Sequence, residues 1–396
     1  LALTTLSIAD NNLATSLLND VSFNGEIRTR YENAEQVGNA TDTASAITNR
    51  FALGAKGNIG GIEGLSAFGQ VMAVSNFGYD HYAPENTTYD TIADPSNARI
   101  TQSYIDYTIG KTLLRAGNQM VNLDDERFIG AVGWRQMPQT FLGYTVVDNS
   151  VENLTLLGSY VTKRYGILDN LSGGTKTVLL NANYKATPEL QLTGYGYLIG
   201  SSSDTYGAMA SGKSGTVDYL VEVAQQKDAS IEYKNLGKPT VDALYYRVNL
   251  GTTYNGMIAG ITYESLGKAD GKSKGFTTPL ATLHKWQGFS DAFLGYTSSI
   301  PRANTYGLND MYAQLGYTQA GFGKVLGIYH IFDAQESTAG KSKDAGSELD
   351  LLYAYPLASD LQILGKAAFF KGESNSVIVG AANDINKYWL QLDYTF

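Results

Sequence analysis

The last nine residues alternate strictly, with Tyr388, Leu390, Leu392, Tyr394 and Phe396 on one side and Trp389, Gln391, Asp393 and Thr395 on the other. A period of two marks a β-strand with unlike faces, because successive side chains of an extended chain point to opposite sides of the sheet. The pattern recurs near the start, where Phe23, Gly25, Ile27, Thr29 and Tyr31 alternate with Ser22, Asn24, Glu26, Arg28 and Arg30. Between these ends, alternation and turn residues predict strands near 44–57, 63–75, 98–109, 112–120, 136–147, 153–163, 175–186, 189–199, 203–212, 216–227, 241–252, 256–266, 309–319, 324–334, 346–355 and 360–371. With the terminal pair this makes eighteen.

The connections test that count. Every second one is short: 57–61, Gly110-Lys111, 148–152, Thr187-Pro188, 212–215, Asn255-Gly256, 320–323 and 356–359, mostly of Gly, Pro, Asn or Asp. The intervening connections are mostly longer, up to 76–97 and 267–308, and only the one near 200–203 is short. A miscounted strand would break this alternation from that point on. An even number of strands, with short turns at one end and long loops at the other, is the plan of a bacterial outer-membrane barrel. Pairing the first strand with the last removes both edges. A secreted sandwich or solenoid also has short strands, but the chain has no repeat at a period of about 20–50 residues and would leave apolar-faced edges open. The fold class expected is therefore all-β: a closed, antiparallel transmembrane β-barrel of about 18 strands, with 1–396 as one domain and 1–20 as a periplasmic N-terminal segment.

Composition agrees with this reading in a way average hydropathy conceals. No stretch approaches the ~18 consecutive apolar residues of a membrane-spanning helix, and the mean hydropathy of -0.18 resembles that of a soluble protein. Barrel strands are apolar on one face only, so their average always looks soluble. The 43 Gly and 28 Tyr fit curved strands and interfacial girdles. With no Cys, and with His81, His284 and His330 far apart, a disulfide framework, a thiol enzyme and a Cys or multi-His metal cage are excluded. A formal charge of -9 gives no basic footprint, so nucleic acid is set aside as a partner. The chain begins at Leu1 without a Met, a charged n-region or an apolar h-region, as expected of an exported chain whose signal peptide has been removed.

Alternation also places charge. Arg28, Arg30, Arg50 and Arg115 have apolar sequence neighbours that must face lipid, and a charge facing mid-membrane lipid would cost roughly 2–4 kcal/mol. These arginines are therefore expected on the lumen wall, with Arg247, Lys324 and Lys366 assigned by the same logic. Glu348, Asp350, Asp218 and Glu222 supply the opposite sign. The loop 121–135 combines Asp124, Asp125, Glu126, Arg127 and Arg135 with Phe128, Ile129, Val132 and Trp134. So apolar a loop is expected to fold into the barrel and constrict it, with its charges set across the pore from the arginines; the alternative is an exposed loop with a charge run. The wall charges either select ions or merely pair with one another and hold the barrel's shape.

Other chemistry is sparse. Asp80, Glu85, Asp90 and Asp94 are expected to form solvated acidic loops, with loop-bound calcium as the alternative. His330, on a strand near Glu348 and Asp350, reads as a satisfied wall residue, since no Gly-x-Ser-x-Gly elbow accompanies it. Gly194-Tyr-Gly196 lies inside a strand, where it eases curvature. The Asn-x-Thr sequons at Asn39, Asn86 and Asn153 carry no assigned function. A hydrolase site at His284 or His330 is the enzyme reading, and it has no supporting motif.

The stretch Gly117-Asn-Gln119, Asn122-Leu-Asp-Asp-Glu-Arg-Phe-Ile-Gly130, Gly133-Trp-Arg-Gln136 and Gln139-Thr-Phe141 resembles a loop of bacterial porins related to the alginate-export family. It departs from that pattern at Asn118, where Arg is usual, and at Leu142, where an acidic residue is usual. The architecture is equally similar to the major outer membrane proteins of campylobacter-like bacteria. The resemblance implies a bacterial outer-membrane porin without a cofactor, passing small hydrophilic solutes and ions, in contact with lipopolysaccharide and assembled as a homotrimer. It also implies that the terminal Phe396 is recognised by the barrel-assembly machinery. A substrate-selective channel for a polyanion or a sugar, in export or uptake, and an adhesin barrel with a plugged lumen are the alternatives.

Overall fold

The computed structural model describes residues 18–168, 171–232, 240–297 and 304–396. Eighteen strands run in chain order: β1 Leu18–Gln36, β2 Ala44–Ile59, β3 Leu65–Ser75, β4 Asn97–Ile109, β5 Thr112–Gln119, β6 Thr140–Asp148, β7 Leu154–Tyr165, β8 Leu171–Thr187, β9 Leu190–Ile199, β10 Ser203–Ser214, β11 Val217–Lys227, β12 Asp242–Tyr254, β13 Met257–Leu266, β14 Leu308–Gln319, β15 Gly323–Asp333, β16 Asp344–Pro356, β17 Leu361–Lys371 and β18 Ile385–Thr395. Each is antiparallel to its sequence neighbours, and β1 also pairs with β18, so the sheet closes. Closure leaves no row of unpaired backbone groups, which is what allows strands to cross hydrocarbon.

Register fixes which face is which. Ile27, Tyr31, Phe51, Val248, Met311, Ile331, Leu351 and Leu390 are exposed large apolar residues, whereas their strand neighbours Arg30, Arg50, Arg247, Asp310, Asp350 and Gln391 are buried. A one-residue slip would exchange the faces. The buried polar face points inward, where loops cover it. At the seam, Arg28 lies opposite Asp393 and Tyr31 opposite Leu390. Gly25 and Phe396 exchange backbone hydrogen bonds of 2.8 and 3.1 Å. A Cβ at Gly25 would overlap the tip of the Phe396 ring, so any other residue there displaces that ring.

Three expected boundaries differ by four residues or more. The first strand extends to Leu18–Gln36, β8 begins at Leu171 rather than near 175, and β6 begins at Thr140 rather than near 136. The Gln136 N–H is taken by Asp94 at 2.6 Å and the Gln139 N–H by the Ala131 carbonyl at 2.7 Å, so these donors are lost to any ladder. Of the expected segment 1–20, residues 1–17 lie outside the described residues, and Leu18 onward is already strand.

Candidate functional site

Two loops meet among the inward-facing side chains. The first, 120–139, joins β5 to β6, and the second, 267–307, joins β13 to β14. They are stitched together by Gly130 N–H to the Leu280 carbonyl at 2.9 Å, Thr282 N–H to the Glu126 carbonyl at 3.1 Å and Val132 N–H to Thr282 Oγ1 at 3.1 Å.

One end of the first loop is held by β1, β2 and β18. Arg28 donates to the Gly133 carbonyl at 2.9 Å and to Asp393 at 2.6 Å. Arg30 donates to the Trp134 carbonyl at 2.5 Å and to Gln391, and lies 4.0 Å over the Trp134 ring. Arg50 reaches the carbonyls of Arg135 and Gln136, both at 3.3 Å, and pairs with Glu26. The wall arginines thus grip backbone carbonyls. Arg135 itself turns to Glu32, Asp94 and Asp291 at 3.2, 3.6 and 3.2 Å.

The other end is held by β8 and β11 to β13, five to seven strands away around the circle. Arg127 is fully buried and bidentate on Glu264 of β13, at 2.5 and 3.2 Å, while Tyr245 and Gln287 also donate to that carboxylate. Removing one partner of such a buried, desolvated pair costs about 3–5 kcal/mol. Asp125 pairs with Arg247, which also meets Glu222 at 2.8 Å. Asp124 accepts from Asn181 of β8 at 2.8 Å, and burial raises its carboxyl above the usual range. Glu126 faces Lys285 of the second loop at 3.3 Å.

The second loop is strapped to β16. Phe289 N–H donates to Asp350 at 3.0 Å, and Ser290 donates to Glu348 through N–H at 2.7 Å and Oγ at 2.6 Å. Gly288, at φ +83°, lies so close to Glu348 that any Cβ would collide with the carboxylate. Beside this strap, Lys366 donates to His284 Nε2 at 2.7 Å and sits 4.1 Å over Trp134 and 3.3 Å over Phe289. The other ring nitrogen, Nδ1, is 3.0 Å from Asp291. Burial first, and then the charge of Lys366, hold the His284 imidazole well below its ordinary value, so near neutral pH it is uncharged with its proton on Nδ1. Burial alone would raise Asp291; the His284 hydrogen bond and the charges of Lys387 and Arg135 outweigh it and keep the carboxyl well below the usual range.

Two cavities flank this layer. One of about 370 Å³ is bordered by Arg28, Glu126, Trp134, Lys285, Phe289 and Lys366. The other, of about 380 Å³ and nearer the long-loop end, is bordered by Glu35, Asp90, Arg135, Asp291 and Lys387.

Of the remaining expected wall residues, Arg115 stays on β5, bidentate on Asp106 at 2.7 and 2.8 Å, and joins neither loop. His330 contacts Asp310 at 2.9 Å and Asp350 at 3.7 Å. The acidic loop residues require a correction. Asp90 and Asp94 are buried, not solvated: Asp94 serves Arg30, Arg135 and the Gln136 N–H, and Asp90 accepts from the Gln36 N–H at 2.8 Å. Residues missed by the sequence reading include Glu32 and Glu264, whose parity with Arg30 and Thr262 marks them as inward. The segment 283–291 was also missed, although Trp286 and Phe289 give it an apolar signal.

No protein-family model matches the chain, and no curated protein matches its sequence. Solved structures do match in fold. OccAB4 of Acinetobacter baumannii has a TM-score of 0.70 at 13% identity, over 96% of this chain and 98% of that one. OpdO of Pseudomonas aeruginosa has a TM-score of 0.70 at 15% identity, over 97% and 99%. OccK8 (OprE) of Pseudomonas aeruginosa has a TM-score of 0.68 at 16% identity, over 95% and 98%. The chain therefore has the fold of the Occ and Opd outer-membrane porins.

Proposed function

We propose that the protein is an outer-membrane channel through which small hydrophilic solutes and ions diffuse passively, and that loop 121–135 is its constriction. The observation that carries this reading is the pair of cavities separated by a single layer of side chains, Trp134, His284, Asp291 and Arg135, inside a closed barrel. Selectivity in such a pore follows from its width and lining charges, and no chemical step is involved. The alternative, substrate-selective uptake of anionic solutes, is favoured by Lys366, which borders the inner cavity among three aromatic rings and hydrogen-bonds a histidine.

Planar-bilayer recording under a salt gradient tests both. Discrete conductance steps are expected, grouped in threes for a homotrimer, and Trp134→Ala should enlarge them. Changing Asp124 and Asp125 to Ala should shift the reversal potential toward anions. A barrel without steps would sink the channel reading, and variants indistinguishable from the parent would remove loop 121–135 from the constriction.

A further inference from the structure

A water-filled barrel carries polar side chains on its inner wall, and β15 to β17 break that rule at one level. Val325, Leu351 and Tyr353 are exposed on the outer face, so Leu326 and Leu352 point inward, where they lie opposite each other in register. Leu352 also lies opposite Lys366, and Leu364, two residues before Lys366, shares its inward face. On β8 and β9, by contrast, the inward residues include Asn181, Asn183 and Thr193. Leu352 and Leu364 are only half-buried, and both border the inner cavity of about 370 Å³.

The loops complete an apolar lining. Trp134, His284 and Phe289 form a stacked column with ring centroids 4.5 and 5.6 Å apart, and all three border the cavity. Its polar groups are almost all committed within the protein. Arg28 is matched by Asp393 and Glu26 at 2.6 and 3.0 Å, and Glu126 by Thr282 Oγ1 and Lys285 at 2.6 and 3.3 Å. Both ring nitrogens of His284 are taken, by Asp291 and Lys366. Lys366 is the exception: an ammonium has three donors, and among the described residues its one hydrogen bond goes to His284. A carboxylate entering here would shed its water against Trp134, Phe289, Leu352 and Leu364, and desolvation of that kind can outweigh the attraction of a single ammonium. An uncharged ring gives up little hydration, covers apolar surface and needs one donor for its oxygen. A cavity of about 150 Å³ already suffices for benzene, so the space admits one substituted ring.

We propose that the inner cavity is a subsite for uncharged solutes built on one flat apolar ring with a hydroxyl or carbonyl oxygen, the ring against Phe289, Leu352 and Leu364 and the oxygen accepting from Lys366 Nζ. The inference rests on the channel reading above and names a solute class for it. Single-channel current through the full chain, recorded at neutral pH with 4-hydroxybenzyl alcohol, myo-inositol or benzoate added in turn, tests it. The first has a ring without charge, the second a hydroxyl on every ring carbon, and the third both ring and charge. Blockades by 4-hydroxybenzyl alcohol should last roughly tenfold longer than those by myo-inositol, and at least as long as those by benzoate. Leu352→Asn and Leu364→Asn, each checked for the compact form on unheated gels, should bring the first ratio close to one. Equal blockades by the alcohol and myo-inositol, or an unchanged ratio in both variants, would overturn the proposal. Longer blockades by benzoate than by the alcohol would also overturn it and assign the cavity to anions. Tryptophan emission titrated with the same solutes in detergent separates the two readings, because Trp134 borders the cavity. Conductance steps without ring preference sink the subsite alone. A silent barrel whose emission still responds to the alcohol at roughly tenfold lower concentration than to myo-inositol sinks the channel and keeps the subsite.

Discussion

His284 and Asp291 tie the two loops to the wall through ionisable groups, and both respond to acid in the same direction. The His284 value is depressed by folding, so the unfolded chain binds the proton first, and stability falls as pH drops below about 6.5. The Asp291 carboxyl is depressed as well; its contribution is complete above about pH 4 and is lost as pH falls through the folded value. Arg135, Lys366 and Lys387 lie against this pair, so protonating His284 on Nε2 breaks its hydrogen bond with Lys366 and protonating Asp291 removes an attraction. Loop anchoring should therefore loosen in two stages. Open-channel noise recorded at about pH 7.5, 5 and 3 should rise at each step, and His284→Asn should remove the first rise while leaving the second. Flat noise across that range would separate these residues from loop anchoring.

Strand placement was legible because the alternation of one face with another is a local signal, repeated eighteen times and policed by turn chemistry. The loops are harder, because their burial is decided by partners far away in sequence. Phe128, Ile129 and Trp134 announced an inward loop by being too apolar for water, yet nothing around Asp94 distinguishes it from Asp80, since its burial depends on Arg30 and Arg135. The loop 267–307 was read by its length, and its strap at 287–291 depends on Glu348 and Asp350 of β16. At the seam, Gly25 has a testable consequence. Gly25→Val would force the Phe396 ring out of its place between β1 and β18. The variant barrel should lose its compact form on unheated gel electrophoresis at a temperature lower than the parent does, whereas Gly69→Val, at a site where a Cβ meets nothing within 4 Å, should not.

Around the described strands, inward charge is matched locally: Arg28 and Arg50 of β1 and β2 stand beside Glu26 of β1 and Asp393 of β18, and Arg247 of β12 stands between Glu222 of β11 and Glu264 of β13. The first loop crosses between them with its carbonyls toward the arginines and its own Arg127 toward Glu264. Such matching makes the arginines structural, because a guanidinium already neutralised by a carboxylate contributes little net field to a passing ion. Lys366 differs: it donates a hydrogen bond to a neutral imidazole, and it borders the inner cavity directly. One charge near a constriction outweighs many at the mouth, because the narrow, poorly screened gap is where the field acts on the ion. Lys366→Gln should therefore shift the reversal potential toward cation preference, by more than Lys272→Gln on the exposed loop. The shift from Lys272→Gln should grow at low ionic strength and fade at high ionic strength, whereas the shift from Lys366→Gln should persist at high ionic strength, since only the outer charge, on an exposed residue, is fully screened. Equal shifts from the two variants would mean that selectivity is set at the mouth of the barrel and not at the layer where the two loops meet.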